Sequence, residues 1–240
     1  MGAGAPVVVS SQPAATVPHG PPQPSPAVLP GPDPPGNAEL PWSEFPAMPP
    51  PRLTSMRMEA CGGCTTVLCI IAVCVGGTHW AVLSLGEMED PLPPLFLSAI
   101  WAEALVALCC LAGLMFGDPG VVLRSEQRCK PVPDGVADLL RAGQPIPADM
   151  RNIEDPVRGT FCVRCLVWRG SDEKAHHCST CQRCVTDFDH HCGVFGRCIA
   201  GRGFRGNMGY FKVIIAMALV GIVTFVAALL VGMGMRTSKM

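Results

Sequence analysis

Three long apolar stretches constrain the fold of this chain more than any other feature of its sequence. They cover residues 65–85, 95–116 and 213–233, and none of them contains a lysine or an arginine. Each is about 20 residues long, which is enough for a helix to cross roughly 30 Å of hydrocarbon. Buried helices of a water-soluble domain are the alternative, which three such runs in a chain of 240 residues disfavour. The sequence therefore predicts an α-helical integral membrane protein with three transmembrane helices.

The charges beside these stretches predict the orientation of the chain. Arg52 and Arg57 precede the first stretch, and segment 117–212 carries most of the lysines and arginines. The short loop after the first stretch is acidic, with Glu87, Glu89 and Asp90. Because basic loops stay in the cytosol, the N-terminal arm and segment 117–212 are expected there. The net charge of −1 argues against a nucleic acid as a partner.

Proline content and the apolar stretches divide the chain into segments. Residues 1–51 hold 16 of the 25 prolines, and proline removes backbone donors and fixes φ, so a disordered arm is expected at the N-terminus. The predicted segments are the arm at 1–60, two membrane helices within 61–117, a cytosolic linker at 118–160, a cysteine-rich zinc domain at 161–211, the third helix at 212–235 and a tail at 236–240.

Two sets of charged residues have two interpretations each. Glu103 lies inside the second stretch and should face other helices or water, because a charge in hydrocarbon is costly. It is either functional or a protonated acid bonded within the helix bundle.

Arg197, Arg202 and Arg205 precede the third stretch. They are either a plain cytosolic flank or contacts for phosphates of lipid or coenzyme A.

Cysteine and histidine are concentrated in one short segment before the third stretch. Seven cysteines and four histidines lie within residues 162–198, in the runs "CVRC", "HHCSTCQRC" and "DHHCGVFGRC". Zinc binds thiolate and imidazole tetrahedrally, and ligands at C-x2-C spacing turn easily around one ion. The overlapping C-x2-C steps therefore predict a zinc domain of short β-hairpins and loops, which metal stabilises in place of a large core.

Counting ligands leaves the role of one cysteine open. Two closed tetrahedral sites use eight of the eleven candidate side chains, and His176, beside His177, is the natural histidine to spare. If all seven cysteines bind zinc, the segment is purely structural. If one of them is free, the cationic groups around it lower its pKa and make it a nucleophile.

The same segment resembles the cysteine-rich domain of the DHHC protein S-acyltransferases, also called palmitoyltransferases. The matching features are C-x2-C, H-C-x2-C-x2-C, a four-residue gap, D-H-H-C, a five-residue gap and a last cysteine, together with "GDPG" at 117–120. The resemblance implies two structural zinc ions, one bound by Cys162, Cys165, His177 and Cys184 and the other by Cys178, Cys181, His191 and Cys198. It also implies Cys192 as the free nucleophile, His190 as its base and Asp189 as the group that orients His190.

The resemblance implies a reaction and its participants as well. Cys192 would take a long-chain acyl group such as palmitoyl from acyl-CoA, and a membrane-proximal cysteine of a substrate protein would then take it from Cys192. The reaction would occur at the lipid bilayer of an endomembrane (Golgi or ER) or of the plasma membrane, with the zinc domain in the cytosol.

Three features depart from the family pattern. Eleven residues separate Cys165 from His177 where the family usually has nine. "GVFGRC" follows DHHC where the family commonly has Pro-Trp-Val and an asparagine before the last cysteine. Family members have at least four spans, so three spans predict a fragment, a short isoform or a weak enzyme. A membrane-anchored zinc scaffold without catalysis is the alternative function.

Overall fold

The computed structural model describes residues 40–85, 88–89 and 91–238 of the chain. Residues 1–39 of the predicted arm, Glu87 and Asp90 of the acidic loop, and residues 239–240 of the predicted tail lie outside the described residues. The described elements, in chain order, are a 3-10 helix (Trp42–Glu44), α1 (Leu53–Ser84), α2 (Leu92–Phe116), α3 (Glu126–Cys129), α4 (Asp134–Arg141), β1 (Ile153–Asp155), β2 (Gly159–Cys162), β3 (Val167–Arg169), β4 (His176–Cys178), β5 (Arg183–Val185), β6 (Phe188–Cys192), β7 (Arg197–Arg202), β8 (Arg205–Gly206) and α5 (Met208–Ser238).

The three predicted apolar stretches form the long helices α1, α2 and α5, which pack against one another. Their most apolar windows have mean hydropathies of 2.0, 2.2 and 2.9, yet only 17%, 28% and 17% of the residues in those windows are buried. A helix this apolar in a water-soluble domain would be mostly covered by protein. The prediction of three helices long and apolar enough to cross a membrane is therefore confirmed.

The helix α1 begins well before the apolar stretch that predicted it. It starts at Leu53, within the segment 1–60 that was expected to be disordered. The twelve residues before position 65 add about 18 Å of helix at 1.5 Å per residue. This extension contains polar residues such as Arg57 and Glu59, so hydropathy gives no signal for it.

Residues 40–52 of the predicted arm also have a defined place. They lie along the cysteine-rich domain, where the Arg124 guanidinium donates to the Pro46 carbonyl at 2.7 Å and Arg183 donates to the Pro49 carbonyl at 2.8 Å. Proline lacks an N–H group but keeps a good acceptor, and arginine supplies the donors. The described part of the arm therefore contacts the cysteine-rich domain through its carbonyl groups.

The cysteine-rich domain consists of small antiparallel sheets, as the sequence predicted. The strands pair in the orders β1-β2-β3, β4-β5 and β6-β7-β8. A small apolar core forms where Val136 and Leu140 of α4 pack against Phe161 and Trp168. The segment 118–160 is therefore more than a linker, because α3, α4 and β1 lie within it and α4 covers the domain.

Hydrogen bonds tie this domain to the ends of two long helices. After α2, the Asp118 carboxylate accepts from the Gly120 amide at 2.9 Å, and the Thr186 hydroxyl donates to the Gly120 carbonyl at 2.8 Å. Gly120 has φ of +101°, a backbone conformation that glycine adopts without strain. Before α5, the buried Asn207 side chain accepts from the Ala200 amide and donates to the Cys198 carbonyl. The domain is thereby held against the helix ends.

A bidentate ion pair connects α3 to the loop between β3 and β4. The two terminal nitrogens of the Arg128 guanidinium, Nη1 and Nη2, each donate to one oxygen of the Glu173 carboxylate at 2.7 Å. We expect Glu173→Gln to lower the free energy of unfolding of the domain by about 0.5–1 kcal/mol, because partly exposed pairs are screened by solvent. The midpoint of urea unfolding, followed by tryptophan fluorescence, measures this difference. Glu126→Gln is the control, because Glu126 is more exposed and lies 3.5 Å from Lys130.

The stabilisation by the Arg128–Glu173 pair depends on pH in a way that follows from the direction in which the pKa of Glu173 is shifted. The hydrogen bond from Arg128 lowers the pKa of Glu173, so the contribution is fully present above the ordinary value of about 4.3 and is lost as pH falls through the lower folded value. The difference between wild type and Glu173→Gln should therefore be constant between about pH 6 and 8. A difference that grows or vanishes within that range would contradict this account.

Candidate metal centres and thiol site

The domain brings the eight predicted ligands together in two separate groups. The first cluster is Cys162, Cys165, His177 and Cys184, and the second cluster is Cys178, Cys181, His191 and Cys198. Within each group, the possible ligand atoms all lie within 4.8 Å of one another. Cys192 and His190 belong to neither cluster.

The donor sets and distances fit zinc. Zn–S bonds of about 2.3 Å and Zn–N bonds of about 2.0–2.1 Å place tetrahedral ligand atoms roughly 3.5–3.8 Å apart. In the first cluster, His177 Nδ1 lies 3.7 Å from the Cys162 sulfur and 3.1 Å from the Cys165 sulfur. In the second cluster, His191 Nδ1 lies 3.4–3.9 Å from the three cysteine sulfurs. Three thiolates and one imidazole form a closed set typical of structural zinc.

Strand geometry explains why neighbouring residues serve different clusters. Side chains alternate between the two faces of a strand, and cross-strand partners share a face. His177 of β4 is paired with Cys184 of β5, and both belong to the first cluster. Cys178 follows His177 on the other face and joins Cys181 in the second cluster. One hairpin therefore contributes two ligands to each cluster.

The ligands of each cluster perturb one another's protonation. In the first cluster, hydrogen bonds from Cys165 and Cys184 lower the pKa of Cys162, and hydrogen bonding with Cys162 raises the pKa of His177 to about 9. In the second cluster, the hydrogen bond from Cys198 lowers the pKa of Cys181 to about 5. Metal ligation needs deprotonated thiols, so binding of a cation would release protons.

A partly buried arginine lies beside each cluster. A zinc ion with three thiolates and one neutral imidazole carries a net charge of −1. Arg124 donates through Nε to the Cys165 carbonyl at 2.8 Å, next to the first cluster. Burial lowers the pKa of Arg197, while Cys181 and Cys198 of the second cluster oppose this effect. These guanidinium groups offset the charge that the clusters would carry.

The hairpins β4–β5 and β6–β7 are two copies of one structural unit. The sequences "HHCSTCQRC" at 176–184 and "HHCGVFGRC" at 190–198 are identical at five of nine positions. Both copies have the same pairing, since His177 opposes Cys184 and His191 opposes Cys198. Their turns also match, with φ of 54° at Gln182 and 62° at Gly196. Cys192 therefore corresponds to the ligand Cys178, and Phe195 stands where Cys181 stands in the first copy.

Cys192 faces the helix bundle rather than a metal cluster. It is one residue after His191, and it lies on the opposite face of β6. Its side chain is 7% exposed and packs in an apolar group. That group includes Leu111 and Leu114 of α2 and Ile214 of α5. It also includes Phe195 and Ile199 of the cysteine-rich domain. The buried thiol thus lies where the domain meets the ends of the long helices.

The other two predicted catalytic residues interact directly. The His190 Nδ1 and Asp189 Oδ2 atoms are 2.7 Å apart, and the His190 ring contacts the ring of Phe211 edge to face. His190 shares the strand face of Cys192, but no hydrogen bond joins the two side chains in the described part of the chain. The structure therefore pairs the acid with the imidazole and places the thiol beside them without a direct bond.

Three residues outside the predicted set help to position the site. Arg197, opposite Cys192 in the β6–β7 pair, donates to the carbonyls of Met115 and Gly117 at the end of α2. Its interpretation as a phosphate contact is therefore not supported. Asn207 ties β7 to α5, and Glu59 of α1 contacts His191. The partners of Arg197 and Glu59 are 80 or more residues away in the sequence, so local patterns do not identify these two residues.

A narrow apolar crevice lies between α1, α2 and α5. Val67, Ile100 and Ile214 are among its lining residues, and a second crevice that shares Val67 and Ile214 reaches Phe195 beside Cys192. Glu103 faces the first crevice and accepts from the Thr224 hydroxyl at 2.8 Å. This acid lies among helices rather than toward lipid, in agreement with the expectation from the sequence.

Comparison with known proteins agrees with this geometry. A profile described as DHHC palmitoyltransferase matches residues 156–239. This part of the chain is a DHHC palmitoyltransferase domain. Palmitoyltransferase ZDHHC9 of Homo sapiens is 27% identical over 173 residues, covering 67% of this chain and 44% of that protein. Palmitoyltransferase ZDHHC8 of Homo sapiens is 32% identical over 141 residues, covering 59% of this chain and 17% of that protein.

The chain thus spans less than half the length of these curated relatives. No solved structure matches it. The match to the DHHC domain includes all eight residues of the two clusters as well as Asp189, His190 and Cys192.

Proposed function

We propose that this protein is a protein S-acyltransferase that carries a long-chain acyl group, such as palmitoyl, on Cys192. The observation that supports this most is the position of that thiol. It lies in neither metal cluster, it is buried in one apolar group with Phe195, a residue that lines the second crevice, and it shares a strand with the Asp189–His190 pair. Cys192 is the nucleophile, His190 is the base, and Asp189 orients His190.

In the same proposal, the two clusters bind one structural zinc ion each. Zinc fixes the small sheets that carry the thiol, because the apolar core of this domain is small. The metal has no direct part in acyl transfer.

The first step moves the acyl group from coenzyme A to Cys192. The His190 imidazole takes the thiol proton, and the sulfur attacks the thioester carbon of acyl-CoA. The carbon–sulfur bond to coenzyme A then breaks, and the departing thiolate receives the proton from His190. The Asp189 carboxylate fixes the tautomer of His190 and stabilises its charged form.

The second step delivers the acyl group to a cysteine of a substrate protein near the membrane. His190 takes the proton of the substrate thiol, the resulting thiolate attacks the acyl carbon, and the Cys192 sulfur leaves and receives that proton from His190. One thioester replaces another in both steps, so no further energy source is needed. The crevice between α1, α2 and α5 accommodates the acyl chain, and the domain faces the cytosol, as the basic flanks indicate.

Labelled acyl-CoA tests this proposal. The protein in lipid nanodiscs, loaded with zinc, should acquire a label that hydroxylamine removes, because hydroxylamine cleaves thioesters. Zinc-loaded protein that acquires no such label would reject acyl transfer and favour the zinc scaffold. Absence of bound zinc would reject the metal assignment.

His190→Ala should slow labelling about 10²–10⁴-fold, the usual loss when a general base is removed. His176→Ala is the matched control, because His176 occupies the same position in the first copy of the hairpin unit and stacks on Phe188. Its labelling rate should stay close to that of wild type. Equal rates in wild type and His190→Ala would exclude His190 as the base.

A further inference from the structure

We infer that Glu59 of α1 is a positioning residue for His191, and that it thereby couples a membrane helix to the metal of the second cluster. This inference rests on the proposed zinc occupancy. Glu59 lies in a segment that the sequence assigned to a disordered arm, and His191 is 132 residues further along the chain.

The contacts of Glu59 point both of its oxygens at defined partners. Its Oε2 atom lies 3.4 Å from His191 Nε2, and its Oε1 atom accepts from the Ser55 hydroxyl at 2.8 Å. Ser55 is four residues earlier, so both side chains lie on one face of α1. The side chains of Glu59 and His191 are 27% and 16% exposed, so protein shields the contact from much of the solvent.

Metal binding determines the role of this contact. His191 Nδ1 faces the three sulfurs of the second cluster, so a metal on Nδ1 leaves the imidazole proton on Nε2. That N–H group then donates to the Glu59 carboxylate. The distance of 3.4 Å is longer than the roughly 2.7–3.2 Å usual for such a bond. Carboxylates that hold a metal-bound histidine in this way fix its ring and strengthen it as a ligand.

The first cluster lacks the equivalent support. His177 is the corresponding histidine, and its Nε2 atom is buried without a hydrogen-bond partner in the described part of the chain. Each cluster consists of three cysteines and one histidine, but the two clusters differ at this outer contact of the histidine. The effect of Glu59 should therefore be specific to the second cluster.

Close packing makes the coupling between α1 and the domain rigid. A Cβ atom at Gly63 would overlap the Val194 carbonyl oxygen, and one at Gly196 would overlap the Met56 carbonyl oxygen. The extended start of α1 thus fits directly against the turn between β6 and β7. Glu59 adds a polar contact from this helix to His191, the residue before Cys192.

Zinc release from the full chain in nanodiscs tests the inference. Wild-type protein should hold about two zinc ions, as two closed sites require. Transfer of zinc to a chromogenic chelator should then be measured for wild type, Glu59→Ala and Glu59→Gln. In Glu59→Ala one of the two ions should leave about 10–100-fold faster, the usual effect of losing such a partner. Glu59→Gln keeps an acceptor oxygen without its charge, so its rate should be intermediate.

Alkylation of the cysteines, followed by peptide mass spectrometry, identifies which ion leaves. In Glu59→Ala, Cys178, Cys181 and Cys198 should become reactive together, while the cysteines of the first cluster stay protected. Arg57→Ala is the control, because this exposed residue lies on the same helix and has no contact with His191.

Three outcomes would overturn the inference. Unchanged release of both ions in Glu59→Ala would remove the role of Glu59, and equal exposure of both clusters would indicate a general loss of structure instead. A wild-type protein with fewer than two zinc ions would reject the proposed metal sites and the inference with them. Loss of acyl labelling alone would bear only on the proposed function.

Discussion

Cys192→Ser should abolish hydroxylamine-sensitive acyl labelling and leave two zinc ions bound. Cys192 is outside both clusters, so its sulfur is not needed for metal binding. A serine hydroxyl at this position is a much weaker nucleophile than a thiol, and any ester that it formed would resist hydroxylamine under mild conditions. Labelling with acyl-CoA and elemental analysis of the same preparation measure both quantities.

Cys178→Ser is the matched control for this substitution. Cys178 occupies the position of Cys192 in the first copy of the hairpin unit, after two histidines and opposite an arginine. It belongs to the second cluster, so its replacement should release one zinc ion. Undiminished labelling of Cys192→Ser would place the acyl group elsewhere, and loss of zinc from it would make Cys192 a ligand.

Removal of both metal ions should unfold the cysteine-rich domain and leave the three long helices intact. Structural zinc contributes about 10–16 kcal/mol of binding free energy in small zinc domains, whereas an apolar core of this size supplies only about 3–5 kcal/mol. Hydrogen exchange should accelerate throughout β4–β7 after chelation. Amides of α1, α2 and α5 should stay protected, because their hydrogen bonds are internal to each helix.

A ligand variant tests the same dependence on metal without chelator. Cys184→Ser should lose the ion of the first cluster and bind the second ion more weakly, because the hairpin β4–β5 carries ligands of both clusters. Cys129→Ala is the control, because Cys129 is fully buried beside the first cluster but is not one of its ligands. Persistent protection of β4–β7 after chelation would mean that the metals do not hold the domain together.

The parts of this fold that local chemistry determines could be predicted. An uncharged run of about 20 residues has few alternatives to a membrane helix, and the C-x2-C spacings locate the metal-binding turns. Ligand counting alone could not say whether Cys192 is free. That answer depends on strand register, which places His191 on one face of β6 and Cys192 on the other.

Other features could not be read from the sequence because their causes are distant. The start of α1 at Leu53 depends on packing against the β6–β7 turn, and its polar residues carry no membrane signal. Residues 40–52 are rich in proline, which predicts disorder, but their carbonyls accept from Arg124 and Arg183. The contact between Glu59 and His191 joins residues 132 positions apart.

The repeated hairpin has a consequence for how a reactive thiol can arise. Each copy of the hairpin supplies a histidine and a cysteine to the metal site whose first two ligands lie earlier in the chain. The C-x2-C turn of the first copy also supplies the first two ligands of the second metal site. A tandem array of this kind necessarily has a terminal unit whose turn has no successor to complete it. In this chain that turn reads "CGVF", so Phe195 leaves Cys192 without a second thiol. In the proposed mechanism, the reactive cysteine is therefore the one thiol of the repeated hairpins that has no following unit to complete a metal site around it.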